Sequence, residues 1–421
     1  MARRLLVVTR HTPLPWEDGA GAYLFDLLRF LHRKGFEIHV AWLAPHDHLR
    51  WQGIWTISED FARVVTLHVP GGIRFGRSQL FPAIYWLPLK ARVLDKVKTF
   101  MQGLGLNPSR THANITVQGR SNASAPEPWM AIPSTQEAVF VEAVIRRLRP
   151  DAIIANYPWM TPLFDLSPAQ GPRRICLHYD VAWKRANLQA ELTGLSPEIS
   201  RDEEARLLSR AETIVCISEA DRHEVRAMSP ASEVLLAPKA VEPRPLPPSE
   251  SKRLLFVGSG NAFNIEGVLW FLRTVWPLVC EQEPDAELDI CGSVSETIVD
   301  RPGRVTFCGS VADLTPYYAN AAVVVVPLRR ATGLNIKLVD AASHGRAIVA
   351  ATATLNGAPF LADAVLTAND PERFSAAVVR LLRNPAIRTA IGDRALAAVR
   401  LHLDPQACYG PLATWLRLDD N

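Results

Sequence analysis

Short apolar runs recur along the whole chain and alternate with segments in which apolar residues return every three or four positions. The runs are typical of buried parallel strands, and the intervening patterns are typical of amphipathic helices. The predicted strands fall at 5–9, 38–43, 64–69, 152–155, 175–178, 214–217 and 234–237, and in a second series at 254–258, 287–291, 305–308, 323–326, 348–351 and 365–367. The clearest helical patterns are at 22–34, 136–148, 268–281 and 374–382. This alternation predicts an α/β fold with parallel sheets covered by helices on both faces.

The two series of strands predict two Rossmann-like, doubly wound domains that face each other across a cleft. Between them, residues 242–251 are rich in proline, which interrupts helices and central strands. We therefore predict a first domain over 1–242, a linker over 243–251 and a second domain over 252–404. The tail, 405–421, begins at a proline, and we expect it to pack back on the first domain.

Composition excludes several classes of protein. The chain has 421 residues, of which 48% are hydrophobic and 21% charged, as expected for a globular protein of two domains. A formal net charge of +3 is too small to indicate a nucleic-acid-binding protein. The cysteines show no metal-binding spacing. The first apolar run is too short for an export signal, and no run approaches the roughly 18 residues of a membrane span. We expect a cytoplasmic protein.

Residues 73–104 are unusual because basic side chains are interleaved with large aromatic ones. Such a composition fits binding to an anionic membrane surface, which would place the protein peripherally at the inner face of the cell membrane. An ordinary amphipathic helix is the alternative, although Pro82 and Pro88 interrupt its apolar face. Residues 105–133 show little periodicity and predict a long loop near the cleft.

The segment 323–350 contains the most informative combination of residues. Four valines predict a buried strand, Gly333 lies in the following loop, and a short helix is expected to end at Gly345. Lys337 would lie in the first turn of this helix, where a cation is unfavourable unless an anion is bound. Asp340, three residues later, could accept hydrogen bonds from a ribose. The pair predicts a site for a nucleotide diphosphate, and the alternative is an exposed ion pair of little energetic weight.

Two other loops of the second domain are expected at the same edge of the sheet. The strand at 254–258 is followed by a loop containing Ser259, Gly260, Asn261 and Asn264, whose backbone N–H groups could face an anion. The strand at 305–308 is followed by Val311, whose backbone atoms could meet a nucleotide base. These loops favour one shared ligand site.

The first domain offers weaker signals. Gly19 and Gly21 follow the first strand and would allow close approach to a ligand, but their spacing does not match the dinucleotide motif G-x-G-x-x-G, which argues against an NAD enzyme. His178 and Asp180 stand at the end of the strand at 175–178, where ligands bind in open α/β sheets. A structural role for this histidine is as compatible with the sequence as a catalytic one.

The second domain resembles GT-B glycosyltransferases, in particular glycosyltransferase family 4, the group 1 transferases. The resemblance depends on the Gly258-Ser259 turn with Asn264, on Gly309-x-Val311-x-Asp313-Leu314 with two tyrosines downstream, and on Gly333-x3-Lys337-x2-Asp340 with Gly345. A weaker resemblance extends into the first domain through Gly19, Gly21, His178 and residues 203–218. It implies a GT-B fold and an enzyme that transfers a sugar from a nucleotide diphosphate sugar to an acceptor.

The resemblance also implies roles for individual residues. Lys337 would hold the diphosphate, Asp340 the ribose, Val311 the base, and Gly333, Leu334 and Asn335 the sugar phosphate. The loop at Gly19 and Gly21 would approach the phosphate and acceptor, and His178 would touch the donor sugar. No cofactor or metal is implied, since a helix N-terminus and a lysine stabilise the leaving diphosphate, and the chain lacks the D-x-D motif.

The chain departs from the family pattern at one position that concerns the mechanism. Retaining members commonly have Glu-x7-Glu, whereas Thr332 and Asp340 stand here. We expect a retaining enzyme; an inverting one would need a general base, for which Asp180, Glu17 and Asp18 are the candidates.

We therefore predict a metal-independent hexosyltransferase-like enzyme of polysaccharide biosynthesis, with a glycan, a lipid-linked molecule or a small molecule as acceptor. The alternatives are a catalytically inactive nucleotide-binding regulatory protein and a nucleotide-sugar epimerase on the same fold.

Overall fold

A computed structural model describes residues 2–10, 19–43, 54–56, 58–70, 73–75, 78–80, 130–168, 170–194 and 196–418. Within these ranges the chain forms two parallel sheets covered by helices and a small antiparallel sheet. It divides into two compact units, residues 1–176 and 177–421. The domain bounds drawn from the linker stay a prediction.

The first sheet contains seven strands in the order β10-β9-β8-β7-β1-β2-β4. β1 pairs in parallel with both β2 and β7, so the strand order reverses between β1 and β7. Its buried strands consist largely of aliphatic residues, as expected where helices cover both faces. The strands are β1 Arg4–Thr9, β2 Glu37–Trp42, β4 Thr66–His68, β7 Ala152–Asn156, β8 Arg173–His178, β9 Thr213–Cys216 and β10 Glu233–Leu236.

The second sheet contains six strands in the order β13-β12-β11-β14-β15-β16, and every pairing is parallel. This is the doubly wound order of a Rossmann domain, with its reversal between β11 and β14. The strands are β11 Arg253–Val257, β12 Glu287–Cys291, β13 Val305–Gly309, β14 Val323–Val326, β15 Ala347–Ala350 and β16 Leu366–Thr367. The predicted α/β class and the two Rossmann-like domains are confirmed.

Helices connect the strands and begin at residues that cap them. Ser134 and Ser200 each form a capping box with a glutamate three residues later, which pairs two otherwise unpaired groups at the helix start. The helices are α1 Gly19–Arg33, α2 Glu59–Val64, α3 Thr135–Leu148, α4 Ala182–Thr193, α5 Arg201–Leu208, α6 Glu219–Met228, α7 Ala262–Trp270, α8 Trp276–Gln282, α9 Val294–Thr297, α10 Thr315–Asn320, α11 Ile336–Ser343, α12 Pro371–Arg383, α13 Pro385–His402 and α14 Pro405–Trp415. A π-helical turn, Phe271–Val275, joins α7 to α8, and 3-10 helices span Pro158–Leu166, Thr352–Leu355 and Pro359–Ala364.

The proline-rich segment is extended and is bonded to the helices around the second sheet. The backbone N–H of Arg244 donates to Ser343 O at 2.9 Å. Two buried arginines donate to carbonyl oxygens of the segment: Arg346 to Leu246 and Pro247, and Arg388 to Ser249. These bonds fix residues 244–249 against the end of α11, the turn before β15 and the start of α13.

The C-terminal helix α14 packs against β10. The Tyr409 hydroxyl accepts a hydrogen bond from Ala240 N at 3.0 Å, and Trp415 Nε1 donates to Glu233 Oε2 at 2.5 Å. The tail therefore contacts the edge strand of the first sheet.

The basic and aromatic segment at 73–104 is described only at its start. Its first residues form strands β5 Ile73–Phe75 and β6 Ser78–Leu80, which pair antiparallel with each other, and β6 pairs with β3 Ile54–Thr56. The alternative of an amphipathic helix is therefore wrong for these six residues, which form a hairpin. The rest of the segment and most of the predicted loop at 105–133 lie outside the described residues. Among the helices described, none combines the length and the hydrophobicity that crossing a bilayer requires.

Candidate functional site

The candidate site lies at the carboxyl ends of β11 and β14, where the strand order of the second sheet reverses. In doubly wound sheets the loops that follow such adjacent strands diverge to opposite faces and leave a crevice for a ligand. The loop after β11 contains Ser259, Gly260 and Asn261, and the loop after β14 leads into α11. The topology thus places these two predicted loops at one edge of one sheet.

The N-terminus of α11 has an unusual cap. Asn335 occupies the N-cap position, but its side chain accepts no hydrogen bond from the helix backbone. The residue is only 7% exposed, and its Oδ1 atom has no hydrogen-bond partner within the described part of the chain. A buried amide oxygen without a donor is costly, so the first turn of α11 is incompletely paired as it stands. A ligand hydroxyl could supply the missing donor.

Lys337 lies in the first turn of α11, as predicted. Burial lowers the pKa of Lys337 to about 8, although Asp340 opposes the change. Among the described residues no carboxylate comes within 4.0 Å of its Nζ atom. The alternative of an exposed Lys337–Asp340 ion pair is therefore wrong: the lysine is partly buried and unpaired. Because the helix dipole also disfavours a cation here, the position favours a bound anion.

Asp340 lies one turn further along α11. Burial raises the pKa of Asp340, and the nearby groups that oppose this rise are Lys239, His344, Lys337 and Arg244. The His344 ring is held by a hydrogen bond between its Nδ1 and Asp340 O at 2.8 Å, and it stacks on Tyr318 with 4.4 Å between ring centroids. Asp340 is thus a carboxylate in a largely cationic pocket.

Gly333 brings the loop before α11 against the end of β8. It has a φ of +61°, and a Cβ atom there would lie 3.1 Å from Tyr179 O and 3.3 Å from Asp180 Cβ. Gly357 packs on its other side, where a Cβ would lie only 2.0 Å from Gly333 O. Only glycine satisfies both the conformation and the space, so Asp180 and the loop of α11 are adjacent.

Asp180 is partly buried, and Arg185 Nε lies 3.5 Å from its Oδ2. Its side chain is near the loop that also contains Leu334 and Asn335, which are both buried. A carboxylate at this place could accept a proton or a hydroxyl hydrogen bond. Its catalytic assignment stays a prediction.

His178 is fully buried and its Nε2 atom lies 2.7 Å from Glu204 Oε1. Glu204 also accepts hydrogen bonds from the backbone N–H groups of Ala182 and Trp183, which begin α4. Burial lowers the pKa of His178, but Cys216 and Glu204 outweigh this effect and raise it well above its ordinary value. These contacts favour a role in fixing the end of β8 and the start of α4, and the predicted contact with a donor sugar stays a prediction.

The loop after β11 is organised by its own side chains. Asn261 caps α7 by accepting a hydrogen bond from Asn264 N at 2.9 Å. Asn264 is buried, and its Nδ2 donates to Ser259 O at 2.8 Å, while Gly260 N donates to Ser293 Oγ at 2.9 Å. Asn264 therefore holds the loop shape, whereas Ser259 and Asn261 are exposed.

Residues 251–384, which contain both loops and α11, match the family model described as "Glycosyl transferases group 1". This segment is a group 1 glycosyltransferase domain. A relative from Klebsiella pneumoniae, "Uncharacterized 44.6 kDa protein in cps region", is 22% identical over 179 residues, which cover 38% of this chain and 44% of the relative. The match thus spans less than half of that protein.

Several solved structures are similar to this protein over nearly its whole length, beyond the group 1 domain. The crystal structure of TarM superposes with a TM-score of 0.68 at 9% identity, and 99% of each chain is covered. Sucrose-phosphate synthase from Thermosynechococcus elongatus gives 0.66 at 14% identity, covering 99% of this chain and 98% of its own. HepE from Anabaena in complex with UDP-glucose gives 0.62 at 14% identity, covering 98% and 99%. At such low identity the likeness shows the fold, and the predicted GT-B fold is confirmed.

The other residues predicted to bind the donor lie after β13 and at the start of α1. Val311 follows the edge strand β13, just after Gly309 with its φ of +70°, and is partly exposed. Gly19 and Gly21 do not form a loop: α1 begins at Gly19, so both lie in its first turn. Glu17 and Asp18 lie outside the described residues.

Two residues near the site of the group 1 domain escaped the prediction from sequence. Glu204 lies within α5 and looks like one of several surface acids, but it is fully buried against His178. Lys239 stands just before the proline-rich segment and is buried near Asp340. A lone acid or lysine in these positions has no distinctive spacing, so only the fold reveals its neighbours.

Proposed function

We propose that this protein is a retaining glycosyltransferase that uses a uridine diphosphate sugar as donor and needs no metal ion. The observation that supports it most is the partly buried Lys337 in the first turn of α11, next to the Oδ1 atom of Asn335; among the described residues the lysine has no ion pair and this oxygen no hydrogen-bond donor. A nucleotide diphosphate sugar offers anionic oxygens for the lysine and hydroxyl groups for the amide. The family match of this segment and the UDP complexes of its structural neighbours agree with this choice of donor.

The chemistry follows from where charge develops. When the bond between the sugar C1 and the diphosphate oxygen breaks, negative charge moves onto the diphosphate. A charged lysine and the free N–H groups of a helix N-terminus stabilise that charge without reorganisation, which is how such sites accelerate group transfer. The acceptor hydroxyl forms the new bond to C1, and in the proposed retaining reaction its proton passes to the leaving diphosphate oxygen, so no dedicated base is needed. If the reaction inverts, a general base must take this proton, and Asp180 is the candidate that lies within the described residues.

The acceptor is a glycan, a lipid-linked molecule or a small molecule. A polysaccharide or lipid-linked acceptor is favoured by the relative encoded in a cps region and by the basic aromatic segment at 73–104, which would bind the protein to the inner face of the membrane. Flotation with anionic vesicles tests this localisation, with neutral vesicles as the control. Protein that stays at the bottom of the gradient in both cases contradicts membrane binding.

The donor is tested by thermal shift with UDP, GDP, TDP and CMP, and by slow hydrolysis of candidate UDP-sugars. A ligand at a hundred times its dissociation constant stabilises the fold by about 2.7 kcal/mol, which such a screen resolves. We expect UDP to give the largest shift. The configuration of the sugar product, read by proton NMR, tests retention.

A second candidate function is a regulatory protein that binds the nucleotide without transferring sugar. Thr332, which stands where retaining members have a glutamate, favours it. Release of UDP from any donor sugar, abolished by Lys337→Met, would exclude this second function. Binding of UDP without release from any donor would support it.

A further inference from the structure

Lys239 is a buried lysine whose charge has no partner within its own surroundings. It lies beyond β10, is 9% exposed, and has no carboxylate of the described residues within 4.0 Å of its Nζ atom. An unpaired ammonium group of a folded protein is normally left in water because its burial is expensive. Its position therefore needs an explanation in terms of what it faces.

The backbone around Lys239 is fixed on the side of its C-terminus. Ala240 N donates to the Tyr409 hydroxyl at 3.0 Å, and Val241 N donates to Leu403 O at 2.9 Å. Arg244 N then donates to Ser343 O at the end of α11. These bonds hold the segment beside α11, so the buried position of Lys239 follows from its backbone.

Asp340 on α11 is the acid that Lys239 influences. Of the cationic groups around Asp340, Lys239 has the strongest effect on its charge, ahead of Lys337 and Arg244. The separation nevertheless exceeds a salt bridge. Lys239 and Lys337 thus both act on Asp340, and neither forms a salt bridge with it among the described residues.

The charges of this region do not balance in the free protein. Three cationic side chains, Lys239, Lys337 and Arg244, act on the carboxylate of Asp340, and Arg244 also acts on the carboxylate of Asp313. Burial lowers the pKa of the remaining neighbour, His344. Three cations against two carboxylates leave a positive surplus, which the anionic oxygens of a diphosphate would offset. In addition, the loop after β11 contains no lysine or arginine between residues 258 and 264, so no second cation comes from that side.

We propose that Lys239 contacts the phosphate oxygens of the bound nucleotide diphosphate and is, with Lys337, the second cation of the donor site. The inference rests on the proposed function, since it concerns the same ligand. It adds a residue from the segment that follows the first sheet to a site otherwise built by the second sheet. Lys239 then contributes to affinity for the diphosphate and to stabilisation of the leaving group.

A positioning role is the competing explanation. In that explanation Lys239 acts only through Asp340, by keeping that carboxylate ionised for the ribose. The two roles predict different ligand dependence, because uridine has the ribose but no phosphate. Contact with the diphosphate affects UDP strongly and uridine little, whereas action through Asp340 affects both alike.

The test is isothermal titration calorimetry of the full chain with UDP, uridine and inorganic pyrophosphate. Lys239→Met keeps the side-chain length and removes the charge, and Lys239→Arg keeps the charge. Lys252→Met is the matched control, because Lys252 is exposed and paired with Glu283 away from the site. We expect Lys239→Met to weaken UDP binding by about tenfold or more and uridine binding by less than twofold, the size of a lost charge-assisted bond. Lys239→Arg should restore most of the loss.

Several outcomes would overturn the proposal. Unchanged UDP affinity in Lys239→Met excludes the contact, provided that circular dichroism shows an intact fold. If Lys239→Met weakens UDP and uridine binding equally, and has no such effect in protein that also contains Asp340→Asn, Lys239 has a positioning role instead. If the wild-type protein binds pyrophosphate but no nucleotide, and Lys239→Met loses pyrophosphate binding, the proposed donor is refuted and the phosphate contact is kept. Wild-type protein that binds neither ligand refutes both.

Discussion

The pKa of Lys337 predicts how nucleotide binding depends on pH. In the free protein burial holds this pKa at about 8, so the ammonium group loses its proton in mildly alkaline solution. A bound diphosphate stabilises the charged form and returns the pKa toward the ordinary lysine value of about 10.4. Binding of UDP above pH 8 should therefore be coupled to uptake of one proton.

The magnitude follows from the fraction of charged lysine. At pH 9.5 a group with a pKa of about 8 is roughly 3% protonated, so binding must first restore the proton. The dissociation constant of UDP should rise about 30-fold between pH 7 and 9.5, which corresponds to about 2 kcal/mol. The terminal phosphate is already ionised in this range and adds no slope of its own.

Calorimetric titrations at half-unit steps of pH measure this slope, and buffers of different ionisation enthalpy count the protons taken up. Lys337→Met should bind UDP more weakly at pH 7 and show a nearly flat profile. If the wild-type profile is flat, or if Lys337→Met retains the same slope, the reasoning about the buried lysine is wrong.

The same lowered pKa affects stability in the opposite direction: the fold becomes more stable as pH rises, whereas UDP binding becomes weaker. The unfolded chain binds the proton of Lys337 up to about pH 10.4 and the folded protein only up to about pH 8, so the folded state gains stability as pH rises between these values. Below pH 8 the charged lysine costs at most about 3 kcal/mol, less whatever solvent screening removes. Lys337→Met should therefore raise the free energy of unfolding at pH 7, measured in urea without ligand. A gain that persists unchanged at pH 10.5 would contradict this cause.

Three other substitutions test separate parts of the site. Gly333→Ala should cost about 1 to 2 kcal/mol of stability and weaken UDP binding, because the backbone is left-handed there and the Tyr179 carbonyl oxygen is close. The control is Gly303→Ala, which has open space around it and should change little in urea unfolding and UDP titrations. Glu204→Ala should cost about 3 to 5 kcal/mol by leaving a buried histidine uncompensated, whereas Glu203→Ala, at the exposed capping box of the same helix, should cost far less. Equal losses in urea would contradict the buried pair. Asp340→Asn should reduce the preference for UDP over 2′-deoxy-UDP by about 1 kcal/mol in competition titrations, and an unchanged preference would remove Asp340 from the ribose.

Much of the fold could be predicted from the sequence because both parallel sheets are buried on both faces. Strands such as β14 consist of consecutive aliphatic residues, and each predicted strand overlaps one in the structure. The antiparallel strands β3, β5 and β6 escaped prediction because three-residue strands have too few positions to show a period. The π-helical turn before Pro277 also left no signal, since its apolar spacing resembles that of an ordinary helix.

Local parts of the site could be predicted as well. The position of Lys337 in the first turn of α11 follows from the glycine before it and the apolar pattern after it, so neighbours along the chain suffice. Its burial and its missing ion pair could not be predicted, because they depend on residues from distant segments. The same holds for His178, whose partner Glu204 lies on the next but one helix and is brought into contact only by packing.

Buried cations elsewhere in the molecule show which unpaired groups indicate function. Arg346 and Arg388 are buried like Lys239, and each donates to backbone carbonyl oxygens of the extended segment, which these hydrogen bonds stabilise. Among the residues that the structure describes, Lys239 and Lys337 have no such partners, and the Oδ1 atom of Asn335 has no donor either. A folded chain tolerates such costs where a ligand compensates for them. These three groups act on or belong to α11, and a nucleotide diphosphate sugar would offer them anionic oxygens and a hydroxyl group together.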